Sequence, residues 1–124
     1  MTVIRASQIE YFELPGITFS SFASPKKGST ENSAWRLNIQ AGTPGATHQV
    51  TKQEIIHAVK GSAVATIDGK SVTLQPGDTV LVPPLTDFTL ANPGPELFEA
   101  IAILPVGAQA RMGAEPLFTP PWAA

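Results

Sequence analysis

His48 and Glu54 are the residues of this chain whose types and spacing suit chemistry. They lie in the stretch from Gly42 to Gly61, GTPGATHQVTKQEIIHAVKG. A neutral imidazole moves protons or ligates a metal, and a carboxyl held against apolar walls has a raised pKa that suits acid or base work near neutral pH. Both must face one space for either chemistry. Gly42, Pro44 and Gly45 mark a bend, an extended piece runs to Val50, Thr51 to Gln53 turn, and Glu54 to Val59 resume a strand. The expectation is a hairpin whose paired arms point His48 and Glu54 inward together. On its second arm the two-residue period groups Glu54, Ile56 and Ala58, leaving Ile55, His57 and Val59 opposite. His57 is therefore expected to point away, in a structural or interfacial role.

The surroundings expected of the pair are apolar: Val50, Ile56, Ala58 and Phe88 as cavity walls, which would raise the Glu54 pKa. Trp35 and Phe88 are candidates to stack on a planar ligand, with Trp35, Val50, Ile56 and Phe88 as the substrate-binding set. Arg36 or Asn38 would orient a ligand only if the strand phase were reversed. The plainer alternatives are a histidine hydrogen-bonded at a cavity mouth and a buried Glu54 paired with Arg36 or a backbone donor. Gln49 and Gln53 join the site only if the local phase departs from simple alternation. Asp78 and Asp87 sit beside turn residues and are expected to cap backbone amides.

The elements that must position these groups read as strands. Twelve prolines and ten glycines, spread through 124 residues, indicate many short segments joined by turns. Residues 3 to 14 form an opening extended segment that Pro15-Gly16 ends, and Ile17 to Phe22 form a second strand. A polar loop from Ser24 to Ser33 is placed beside an opening of the barrel. From Ala34 the pattern alternates, with Trp35, Leu37 and Ile39 on one face and Arg36, Asn38 and Gln40 on the other. Asp68-Gly69 between Ser62–Ile67 and Ser71–Leu74 signals a tight hairpin. Thr79 to Val82, Asp87 to Ala91 and the apolar run Leu97 to Leu104 supply further strands. The Pro-rich tail carries Leu117, Phe118 and Trp122, aromatic and apolar groups expected to dock on the surface or on a partner subunit.

The spacing of Gly42, His48, Glu54 and Gly61 resembles the first motif of the cupin family, and Gly77, Pro83 and Asn92 fall at the spacing of the second. Val50 and Phe88 stand where that family usually has histidine ligands, and Leu85 replaces a glycine. The resemblance covers about residues 34 to 105. It implies an all-β, double-sheet jelly-roll barrel as a single domain, with short N-terminal strands in 1–33 and a Pro-rich tail in 106–124. It also suggests a homodimer built on the N-terminal strands.

Two functional readings of His48 and Glu54 follow. The first is metal-independent acid/base catalysis of isomerisation, cyclisation or dehydration on a small organic metabolite, with His48 and Glu54 catalytic and no cofactor. The second uses the same two residues as ligands of a divalent metal (Zn, Fe, Mn or Ni) in an oxygenase or metal-assisted cyclase, which needs a further ligand. A non-catalytic ligand-binding or sensor module is compatible with both residues as well. The net charge of −2 with no basic stripe excludes a nucleic-acid footprint, and the absence of cysteine excludes thiolate chemistry and disulfides. No run is apolar enough for a membrane span, so a cytoplasmic protein with a small-molecule partner is expected.

Overall fold

The computed structural model describes residues 1 to 124. Eleven strands run in order: β1 (Glu10–Leu14), β2 (Ile17–Ala23), β3 (Asn32–Ile39), β4 (His48–Val50), β5 (Glu54–Lys60), β6 (Ala63–Ile67), β7 (Lys70–Leu74), β8 (Thr79–Val82), β9 (Phe88–Ala91), β10 (Phe98–Pro105) and β11 (Ala110–Met112). They form two antiparallel sheets, a six-stranded one in the order β1-β2-β3-β10-β5-β8 and a five-stranded one in the order β11-β4-β9-β6-β7. No helix is long and apolar enough to cross a membrane.

The stretch expected to be a hairpin is not one. β4 pairs with β9 and β11, whereas β5 pairs with β10 and β8. Residues 51–53 carry the chain from one sheet to the other. Backbone bonds fix this corner: Thr51 N–H donates to Gln109 O (2.9 Å) and Leu85 N–H to Val50 O (2.8 Å). Leu85 adopts a left-handed φ of 56°, the conformation a glycine would take at lower cost. The Asp68-Gly69 turn does form the expected hairpin, with φ of 50° and 76° at its two residues and Ala63–Ile67 paired to Lys70–Leu74.

Alternation decides what faces inward. Trp35, Leu37 and Ile39 are buried on β3, and Arg36 faces out, its Nε 3.9 Å from the Glu99 carboxylate. β10 alternates buried and half-buried residues rather than being buried throughout. At one end the sheets close on Ala58, Ala63, Ala65, Ala100 and Ala102, each no more than 1% exposed, with Phe98 and Val82 beside them. Such small side chains let the sheets approach closely.

The tail docks on its own chain. β11 extends the five-stranded sheet, and the Trp122 ring stacks on Phe19 with centroids 3.7 Å apart and planes 8° from parallel. The Ser21 and Ser33 hydroxyls donate to the carbonyls of Trp122 (2.8 Å) and Ala123 (2.6 Å). The Ser24–Ser33 loop turns at Pro25–Lys27 and is held by Lys27 to Glu10 at 2.7 Å.

Two residues of the matched spacing are structural. Gly61 has φ of 72°, and a Cβ there would collide with the Leu97 carbonyl oxygen. Asn92, fully buried, donates through Nδ2 to Ile39 O (2.9 Å) and Glu96 O (2.7 Å) and accepts from Gly94 N–H (3.1 Å). Asn92→Ala removes the side-chain partner of one buried carbonyl and of a part-buried carbonyl and amide, so urea unfolding should show a loss of about 1–3 kcal/mol.

Candidate functional site

The open half of the barrel encloses a cavity of about 520 Å³. His48 enters it from the five-stranded sheet and Glu54 from the six-stranded sheet, so the two face one space because the chain crosses between the sheets. Trp35, Val50, Ile56 and Phe88, the expected binding residues, all line it. Ala58 does not; it is buried in the closed end. The exposed lining residues, Glu13, Leu14, Ala46 and Pro121, mark the mouth, so the opening lies beside β1 and the tail and not beside the Ser24–Ser33 loop.

His57 is exposed on the outer face, its Nδ1 2.8 Å from the Thr79 hydroxyl. Gln49 donates to Asp87 (2.9 Å), and Gln53 is exposed; neither lines the cavity. Asp78 accepts from the Gln75 amide (2.8 Å), the turn cap expected of it. Arg36 is bound to Glu99 and does not pair with Glu54.

Glu54 is 6% exposed and its carboxyl makes no hydrogen bond within the protein. Burial alone pushes its carboxyl up to about 7, because the charged form loses water and gains no partner. His48 Nδ1 lies 2.9 Å from Ala46 O, and its ring meets Phe88 edge-on, with centroids 5.0 Å apart. A carbonyl only accepts, so Nδ1 carries the proton and the second ring nitrogen is left as the base. Burial pushes the imidazole below its ordinary pKa, outweighing the Ala46 bond. Near neutral pH the cavity thus holds a carboxyl poised to give or take a proton and, on the opposite sheet, an uncharged imidazole.

A family model described as a cupin domain matches residues 35–104. The chain belongs to the cupin family. Comparison with curated protein sequences finds no match. Among solved structures, the polyketide cyclase RemF from Streptomyces resistomycificus is similar with a TM-score of 0.79 at 11% identity, over 90% of this chain and 84% of that one. A salicylate 1,2-dioxygenase from Pseudoaminobacter salicylatoxidans, with gentisate, is similar with a TM-score of 0.72 at 15% identity, over 86% of this chain and 31% of that one. This cupin thus spans about a third of the dioxygenase chain. A putative sugar phosphate isomerase from Acidithiobacillus ferrooxidans gives a TM-score of 0.68 at 17% identity, over 89% and 80%. At these identities the likeness is one of fold.

Cupin barrels commonly hold a metal on histidine and glutamate ligands. The donor set here does not fit that group: the lining offers His48, Glu54 and, at the exposed mouth, Glu13, and no three of His, Cys, Asp and Glu converge anywhere in the protein.

Trp35 and Ile56 are expected inward from strand alternation and Val50 and Phe88 from the cupin spacing, and all four line the cavity. Sequence reasoning missed Phe12, Leu14 and Ile17 of the N-terminal strands, and Met112, Phe118 and Trp122 of the tail, as cavity walls. The exposed-aromatic argument signalled that the tail docks, but nothing in its spacing said where.

The raised Glu54 pKa has a consequence for stability. Between about pH 4.5 and 7 the unfolded carboxyl ionises while the folded one keeps its proton, so stability falls as pH rises through that window and levels off above it. The displacement corresponds to roughly 3 kcal/mol. His48 acts oppositely below pH 6.5, where it charges only when unfolded. Glu54→Gln should remove the decline, and urea midpoints should show the variant more stable than the parent protein at pH 8 but not at pH 4.5.

Proposed function

We propose that this cupin binds a small organic molecule in its cavity and moves a proton on it without a metal. The observation that carries the reading is the Glu54 carboxyl, buried, without a protein partner and facing the cavity. At a carbonyl substrate, protonated Glu54 gives its proton to the carbonyl oxygen while the free nitrogen of His48 takes one from the adjacent carbon, leaving an enol, a carboxylate and an imidazolium. Return of the protons at different atoms completes an isomerisation. In a dehydration, a β-hydroxyl takes the imidazolium proton and leaves as water while the Glu54 carboxylate takes back the enol proton. In a ring closure, the enol carbon attacks a second carbonyl carbon, whose oxygen takes the imidazolium proton while Glu54 takes back the enol proton. Expulsion of water strengthens each interaction between the pair and the reacting atoms. The names of two similar structures, a cyclase and a putative isomerase, are of this reaction kind.

The reading also includes a homodimer on the N-terminal strands. β1 is an edge strand, with Tyr11 68% and Leu14 46% exposed. Sedimentation should give a dimer that Tyr11→Asp shifts toward monomer.

Proton transfer can be tested without the natural substrate. In D₂O the protein should speed exchange of the α-protons of 2-tetralone, a neutral ketone, as followed by NMR. Glu54→Gln and His48→Ala should each lower that rate by a factor of about 10² or more. Prior treatment with a chelator should leave it unchanged, with elemental analysis showing no near-stoichiometric metal. Exchange at the buffer rate would reduce this cupin to a binding module, and activity lost with a bound metal would make it a metalloenzyme.

A further inference from the structure

The charges around the cavity restrict what it holds. Its lining includes the carboxyls of Glu13 and Glu54 and the imidazole of His48, but neither lysine nor arginine. A carboxylate or phosphate ligand would enter beside two acids with no cation to neutralise it, and a desolvated, unpaired charge is costly. A ligand rich in hydroxyls would leave most of them unbonded against the apolar walls, each at a cost.

A flat, apolar ligand meets the opposite situation. Phe12, Phe19, Trp35, Phe88, Phe118 and Trp122 surround the space, contributed by both sheets and the tail. The near-parallel Phe19–Trp122 stack and the edge-on His48–Phe88 pair hold their rings in fixed orientations. A cavity of about 150 Å³ holds one benzene ring, so the 520 Å³ here has room for two or three fused rings.

We propose that the cavity takes an uncharged, planar ligand of two or three fused rings, with one hydroxyl or carbonyl oxygen directed to Glu54 and His48, and rejects carboxylate and phosphate analogues. The proposal rests on the reading of Glu54 and His48 as the polar end of the site, but it concerns binding alone.

Calorimetry at pH 7.5 with 2-naphthol, 2-naphthoate and 2-naphthyl phosphate tests it. The naphthol should bind at least about tenfold more tightly than either anion. Ala46→Trp, which puts bulk at the exposed mouth without touching the core, should weaken naphthol binding by a similar factor. Glu54→Gln should narrow the preference for naphthol over naphthoate. An anion that binds as tightly as naphthol, no naphthol binding up to its solubility, indifference to Ala46→Trp, or an unchanged preference in Glu54→Gln would each overturn the proposal. Selective naphthol binding without exchange on 2-tetralone would refute proton transfer alone; exchange accompanied by tight naphthoate binding would refute the charge selection alone.

Discussion

One carboxyl is buried in this barrel with no partner, and the rest of the site depends on how the fold tolerates it. Glu54 cannot be ionised without loss of hydration that nothing within the protein replaces. The protein therefore keeps the carboxyl protonated into the neutral range. A group in that position is structurally unfavourable when charged and chemically useful for the same reason. Its proton is held weakly enough to be given and strongly enough to be recovered near pH 7.

The architecture around it divides the work between the two ends of the barrel. Alanines on β5, β6 and β10 draw the sheets together at one end, where packing supplies stability. Bulky rings at the other end hold the sheets apart and leave a space that neither sheet fills. The tail completes that half: Trp122 closes over Phe19, and the Ser21 and Ser33 hydroxyls fix the terminal carbonyls. The tail is thus a wall of the cavity as much as an end of the chain.

Much of this was legible in the sequence, and the failures have a common cause. Period-two alternation assigns faces correctly, because successive side chains on a strand must point oppositely. It groups Trp35 with Leu37 and Ile39, and Glu54 with Ile56 and opposite His57, without any knowledge of pairing. What alternation does not carry is the identity of a strand's neighbour. Gly42 to Gly61 reads as a hairpin, since a strand, a short turn and a strand are what a hairpin and a crossing between sheets have in common. The inward phase survived the wrong pairing because His48 and Glu54 face the same interior from opposite sheets. The tail's place on Phe19 depends on contacts between residues far apart in the chain, and no local pattern encodes them.

The apolar residues at 50 and 88, which line the cavity, bear on its electrostatics. Imidazoles at 50 and 88 would place two bases in the lining, and a metal on them or a proton would set positive charge near Glu54 and lower its pKa. Val50 and Phe88 supply no charge and exclude water, so desolvation acts on Glu54 unopposed and the shift is upward. The Phe88 ring also meets His48, whose burial lowers its pKa. Desolvation in this apolar lining thus acts on the two groups in opposite directions, raising the Glu54 carboxyl and lowering the His48 imidazole.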